Sequence, residues 1–161
     1  MPADAETPFG FDFGHDNELF ISDDFNDAPG AGALSSYRVA HDGSLRLVSS
    51  KVPSGQSGAC WVVVSPDGRF AYVANTVDSM VSIYRIFDGS VKLVTSFASA
   101  SNPTDMDFSR DGRFLYVLAP DQTMQSSPGI NAFRVPRGDG SLVPLSGISG
   151  LPRSVDGLAA R

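Results

Sequence analysis

Cysteine is nearly missing from this 161-residue chain, and the one it has, Cys60, excludes an internal disulfide and a thiolate-rich zinc site. Histidine is almost as scarce, with His15 and His41 far apart in the sequence. Basic charge is short: 12 lysines and arginines stand against 18 acids, for a net charge of −6 and a sequence pI of about 4.6. Such a field repels phosphate backbones and anionic lipid heads, so neither nucleic acid nor a membrane is expected as a partner. No apolar run approaches the roughly 18 residues of a membrane-spanning helix, and the opening MPADAETPFGFDF is acidic where a secretory leader is basic. The chain as given reads as soluble and cytoplasmic, although a longer parent could be exported. Neither a cofactor nor a metal is expected.

What is present points to short strands. Hydrophobic residues make up 42%, enough for one sizeable core, while 16 glycines and 11 prolines suit tight turns better than long helices. The stretch VSPDGRFAYVAN (64–75) recurs as FSRDGRFLYVLA (108–119), and a weaker copy begins at HDNELFIS (15–22). Before each lies a short alternating strand (9–13, 61–64, 104–108). After each comes an aromatic-arginine strand, in LSSYRVA, VSIYRIF and INAFRVP, which places Arg38, Arg85 and Arg134 at equivalent positions. An Asp-Gly turn then introduces a fourth strand, in HDGSLRLV, FDGSVKLV and GDGSLVPL.

A four-stranded antiparallel unit repeating every 40 to 50 residues or so is the signature of a β-propeller blade. The sequence therefore predicts an all-β fold: an N-terminal tail at 1–7, then a partial propeller over 8–161 with blades at about 8–59, 60–102 and 103–152. The final SVDGLAAR (154–161) resembles the lone first strand of a further blade. Three blades and one extra strand make an incomplete ring, so self-association or additional N-terminal blades are expected to cover its ends.

The segments SPDGRFAYVAN, VSIYRI, DGSVKLV, PTDMDFSRDGRFLYVLA, INAFRV and DGSLVPL together resemble the lactonase family of seven-bladed propellers, which includes 6-phosphogluconolactonases and carboxymuconate-cyclase-like proteins. The resemblance implies a counterpart of that family's C-terminal half, with 154–161 as the strand that closes the ring. It implies hydrolysis of a sugar-acid or related lactone once further blades complete the site. It also implies a histidine pair, an Asp-rich loop and an arginine, and here these places hold Gly58 and Cys60, the loop NTVDSM (75–80), and the neighbourhood of Pro120. Asp105 stands where the family often has glutamate and is the catalytic candidate. A non-catalytic propeller that binds a small molecule or a protein is the alternative.

Asp12, Trp61, Asn75 and Asp107 are the candidates for holding a lactone or another polar ligand. Asp12, Asp105 and Asp107 fall on first strands, the innermost of a blade, where they line a central channel and either bind a ligand or are simply hydrated. Alternation puts Asp105 and Asp107 on one face. Asp105 is expected to act through its charge, with little bearing on stability. Cys60 lacks a neighbouring base and reads as a buried structural thiol, and both histidines read as exposed turn residues. The three arginines read as structural, stacking on aromatics or pairing with acids. The polar loop 119–129 reads as a connector or as a ligand cover.

Overall fold

The computed structural model describes residues 7–99, 102–120 and 127–160. The expected tail, apart from Thr7, and the middle of the 119–129 loop lie outside the described residues. Twelve strands are found there and no helix. They are β1 (Pro8–Phe13), β2 (Glu18–Asp23), β3 (Ala33–Val39), β4 (Leu45–Pro53), β5 (Ala59–Val64) and β6 (Phe70–Asn75), followed by β7 (Met80–Phe87), β8 (Ser90–Ala98), β9 (Asp105–Phe108), β10 (Phe114–Ala119), β11 (Gly129–Arg134) and β12 (Val143–Ser149). Each successive set of four forms one antiparallel sheet in sequence order, as the repeat predicts.

Local chemistry explains the repeated turns. In the β5–β6 hairpin the Ser65 hydroxyl donates to Asp67 Oδ1 at 2.7 Å and accepts from the Phe70 amide at 3.0 Å. Ser109 does the same with Asp111 and Phe114 in the β9–β10 hairpin, at 2.7 and 3.1 Å. Gly68 and Gly112 follow with φ of 70° and 67°, the left-handed conformation that glycine adopts without penalty. The SPDG and SRDG repeats are thus the same hydrogen-bonded turn.

The sheets stack face to face, with β1, β5 and β9 adjacent at the inner edge. Alternation in the second blade sends Val62, Ala71, Val73 and Tyr84 to one face and Val63, Tyr72, Ala74 and Ile83 to the other. The first set packs with Phe20 and Leu34 of the first blade, and the second with Met106, Leu115, Val117 and Phe133 of the third. Every residue of β6 is buried as a result. The end blades have covered inward faces only. Phe11 and Phe13 on the outward side of β1 are 60% and 57% exposed.

The inner strands approach closely enough to require Gly10. A Cβ there would lie 2.7 Å from the Cys60 carbonyl oxygen and 2.9 Å from the Trp61 Cα. The aromatic-arginine strands carry the structural roles expected of two of their arginines. Arg38 pairs with Asp88 at 2.8 Å, and Arg85 sits 5.6 and 5.1 Å from the ring centres of Phe70 and Phe87. Arg134 is exposed opposite Phe114.

The segment 154–160, expected as a lone strand, forms no ladder, because no second strand of its own blade lies beside it. It nevertheless rests against β9, where the amides of Leu158 and Ala160 donate to the carboxylates of Asp105 and Asp107, both at 2.6 Å. The Val64 amide of β5 donates in the same way to Asp12 of β1, at 2.7 Å. The C-terminal segment thus takes the place that an inner strand takes in the next blade. Among the described residues no helix is long and apolar enough to cross a membrane.

Candidate functional site

The inner edge and the adjoining loops form two neighbouring hollows. A groove of about 230 Å³ runs over the inner strands and is lined by Asp12, Trp61, Asp105, Asp107 and Leu158, among others. A larger cleft of about 540 Å³ opens where β5 begins, and it is lined by Phe9, Asp24, Asp27, Trp61, Thr76, Asn102, Asp105 and Asp156. Trp61 and Asp105 border both. Gly58 and Cys60 also line the cleft, so the two positions where the family places histidines do face it.

Asp12, Asp105 and Asp107 are therefore at the inner edge as expected, but they do not stand free in a channel. Each carboxylate accepts one amide from its own strand and one from the neighbouring inner element. Asp105 Oδ1 takes the Met106 amide at 2.7 Å while Oδ2 takes that of Leu158. Burial raises the Asp105 pKa above its ordinary value, against the opposing pull of the Leu158 and Met106 amides. The expectation that Asp105 matters little to stability is corrected here, because its loss would leave two amides without an acceptor.

Asn75 is fully buried at the end of β6 and does not line the cleft. Its amide nitrogen donates to the carbonyls of Val73 and Met80 and to Ser82 Oγ, which fixes the start of the β6–β7 turn. Cys60 is half-buried, its thiol donates to the Thr104 carbonyl at 3.5 Å, and burial pushes its pKa up to about 11. A thiol held there is not a nucleophile at neutral pH. His15 and His41 are exposed, away from the cleft.

Two lining residues outside the sequence candidates each bury an unpartnered side-chain oxygen. Asp24 follows β2, accepts the Asp27 amide through Oδ2 at 3.2 Å, and has its other oxygen buried without a partner among the described residues. Burial raises its pKa, the Asp27 amide opposing. The loop it begins is strained: Phe25, Asn26 and Asp27 all have positive φ, at 59°, 54° and 57°. Asn102 donates to the Thr76 carbonyl at 3.1 Å and leaves its own Oδ1 buried and unpartnered. The signal for the first lay in SDDFND (22–27), an acidic loop in the first blade at the place where the second blade has NTVDSM.

Comparison with known proteins fits this arrangement to a family. The model of the lactonase family, seven-bladed β-propeller, matches residues 35–155, three quarters of the chain. The chain belongs to this lactonase family. Among solved structures, a functionally unknown protein from Desulfotomaculum acetoxidans is 22% identical with a TM-score of 0.74, covering 92% of this chain and 43% of its own. A candidate 6-phosphogluconolactonase from Bacteroides uniformis is 22% identical with a TM-score of 0.72, covering 91% and 44%. The periplasmic gluconolactonase of Pseudomonas aeruginosa is 27% identical with a TM-score of 0.66, covering 94% and 45%. The chain thus spans less than half the length of these three proteins.

Proposed function

We propose that these three blades supply the ligand-holding wall of a lactonase-type propeller and that the 540 Å³ cleft receives a sugar-acid lactone. The observation that carries this is the cleft's lining: carboxylates, a side-chain amide and hydroxyls beside the rings of Trp61 and Phe9, at the mouth of the inner strands. Such a set offers acceptors to sugar hydroxyls and an apolar wall to the C–H face of the ring. Family membership supports the lactone as ligand.

Asp24 is the base this reading assigns. Its place at the cleft and raised pKa suit it to take a proton from water as the water oxygen bonds to the lactone carbonyl carbon. The bond from that carbon to the ring oxygen then breaks, and the ring oxygen receives the proton from Asp24, giving the open hydroxy acid. Asp105, already holding two amides, orients the substrate's hydroxyls.

One observation favours a binding propeller without turnover. Gly58 and Cys60 bring no imidazole to the cleft, and the thiol is engaged with Thr104. Hydrolysis of D-glucono-1,5-lactone followed in a pH-stat decides between the two. A rate above the spontaneous one, lowered at least about tenfold by Asp24→Asn with an unchanged melting curve, is expected. Saturable binding without acceleration would leave the binding propeller, and absence of binding would end both.

A further inference from the structure

The cleft's polar groups are unbalanced, and the imbalance names a ligand class within the lactone reading on which this inference rests. Asp24, Asp27, Asp105 and Asp156 line it, and none of the described lining residues is Lys, Arg or His. Outside the described residues, 1–6, 100–101 and 121–126 contain none of the three in sequence, and Arg161 is the one cationic side chain. Some of its side-chain donors are engaged internally: Thr76 Oγ1 on the Pro103 carbonyl at 2.8 Å, one N–H of Asn102 Nδ2 on Thr76 at 3.1 Å, and the Cys60 thiol on Thr104. Acceptors remain in the exposed carboxylates of Asp27 and Asp156, which line the cleft. Arg69, Arg113 and Arg137 surround a separate cavity of about 420 Å³ at the opposite end of β5, and Lys51, over the Phe25 ring at 5.9 Å, does not line the cleft.

We infer that the cleft selects an uncharged polyhydroxy lactone and rejects its phosphorylated counterpart. Hydroxyl groups are donors, and the exposed carboxylates of Asp27 and Asp156 accept them. A phosphate ester brings only acceptors and close to two negative charges, into a site whose own charges are all of that sign. The neutral sugar ring meets no such opposition, and Trp61 and Phe9 cover its apolar face.

Trp61 is the chain's one tryptophan and borders the cleft, so its fluorescence reports on this site and not on the distant basic cavity. Stopped-flow titrations of the full chain would compare D-glucono-1,5-lactone, its 6-phosphate and D-glucosamine, each read before spontaneous hydrolysis. The neutral lactone is expected to bind at least about tenfold more tightly than the phosphate, and Asp27→Asn, an exposed change, should narrow that gap. Equal or tighter binding of the phosphate would overturn the charge selection while leaving the lactone reading standing. Glucosamine, whose ammonium the same carboxylates attract, should bind more tightly than the phosphate, and glucosamine bound no better than the phosphate would overturn the charge selection as well. No signal from either lactone would remove the lactone reading itself.

Discussion

Three aspartates at the inner edge share one job, and the geometry of a sheet edge explains it. The inner strand of a blade pairs on one side only, so alternate amides on its other side face away from any ladder and need acceptors. Asp12, Asp105 and Asp107 each give Oδ1 to the following amide of their own strand, at 2.8, 2.7 and 2.8 Å. Each gives Oδ2 to an amide of the adjacent inner element, at 2.7, 2.6 and 2.6 Å. Asn at position 12 would offer one oxygen where two are used and turn a donor toward a donor. Asp12→Asn is therefore expected to destabilise the fold by about 1–3 kcal/mol. Burial raises the Asp12 pKa above its ordinary value of about 3.8, ahead of the lowering by the Val64 and Phe13 amides. The native chain then holds this proton to higher pH than the unfolded chain does. The stability it lends is fully present below the unfolded pKa and is lost as pH rises through the folded one. Urea melts of wild type and Asp12→Asn should show a gap that narrows from pH 3.5 to pH 7. A gap that widened would mean the carboxylate is favoured in its charged form.

Among the elements, the C-terminal segment is the one held by side chains rather than by a ladder. If the two carboxylates of β9 are what dock it, Asp105→Asn with Asp107→Asn should speed amide exchange at Leu158 and Ala160 by at least about tenfold, while protection in β6 and β10 persists. Unchanged protection at those two amides would show that another contact holds the segment. The strands themselves were legible in the sequence because their signals are local: period-2 alternation, the Ser-x-Asp-Gly turn, and the aromatic-arginine pair that recurs in every blade. The aspartates' partners were not, since Asp12 meets Val64, and Asp107 meets Ala160, across blade boundaries that no local pattern records. The loop that Asn75 begins suggests a ligand group, yet full burial turns its side chain into a turn fastener. The family resemblance points to an acidic loop after β6, whereas the first blade carries one after β2, at Asp24.

At the scale of the whole molecule the two ends of the stack are unlike. The outward face of the first blade presents Phe11 and Phe13, in an edge contact at 6.1 Å, and exposed Leu45 and Leu47. In the second blade the equivalent face is a buried seam containing Val62, Val73 and Tyr84. An apolar face of this kind drives association when nothing covers it. Head-to-tail stacking of two copies would bring β1 of one to the outward side of β9 of the other. That place is already taken, because residues 158 and 160 hold the carboxylates that a neighbouring inner strand would use. The phenylalanine face is left to meet its own copy about a two-fold axis, which needs no displacement of the C-terminal segment. The 161-residue chain is thus expected to form a dimer through these faces, and sedimentation at tens of micromolar should show it. Phe11→Asp should give a monomer with an unchanged far-ultraviolet spectrum, because its side chain is 60% exposed and leaves the seams between blades untouched. A preceding blade fused before Pro8 should abolish the dimer as well, by covering the same face. A wild-type monomer at that concentration, or a dimer that survives Phe11→Asp, would show that the phenylalanine face is not what associates.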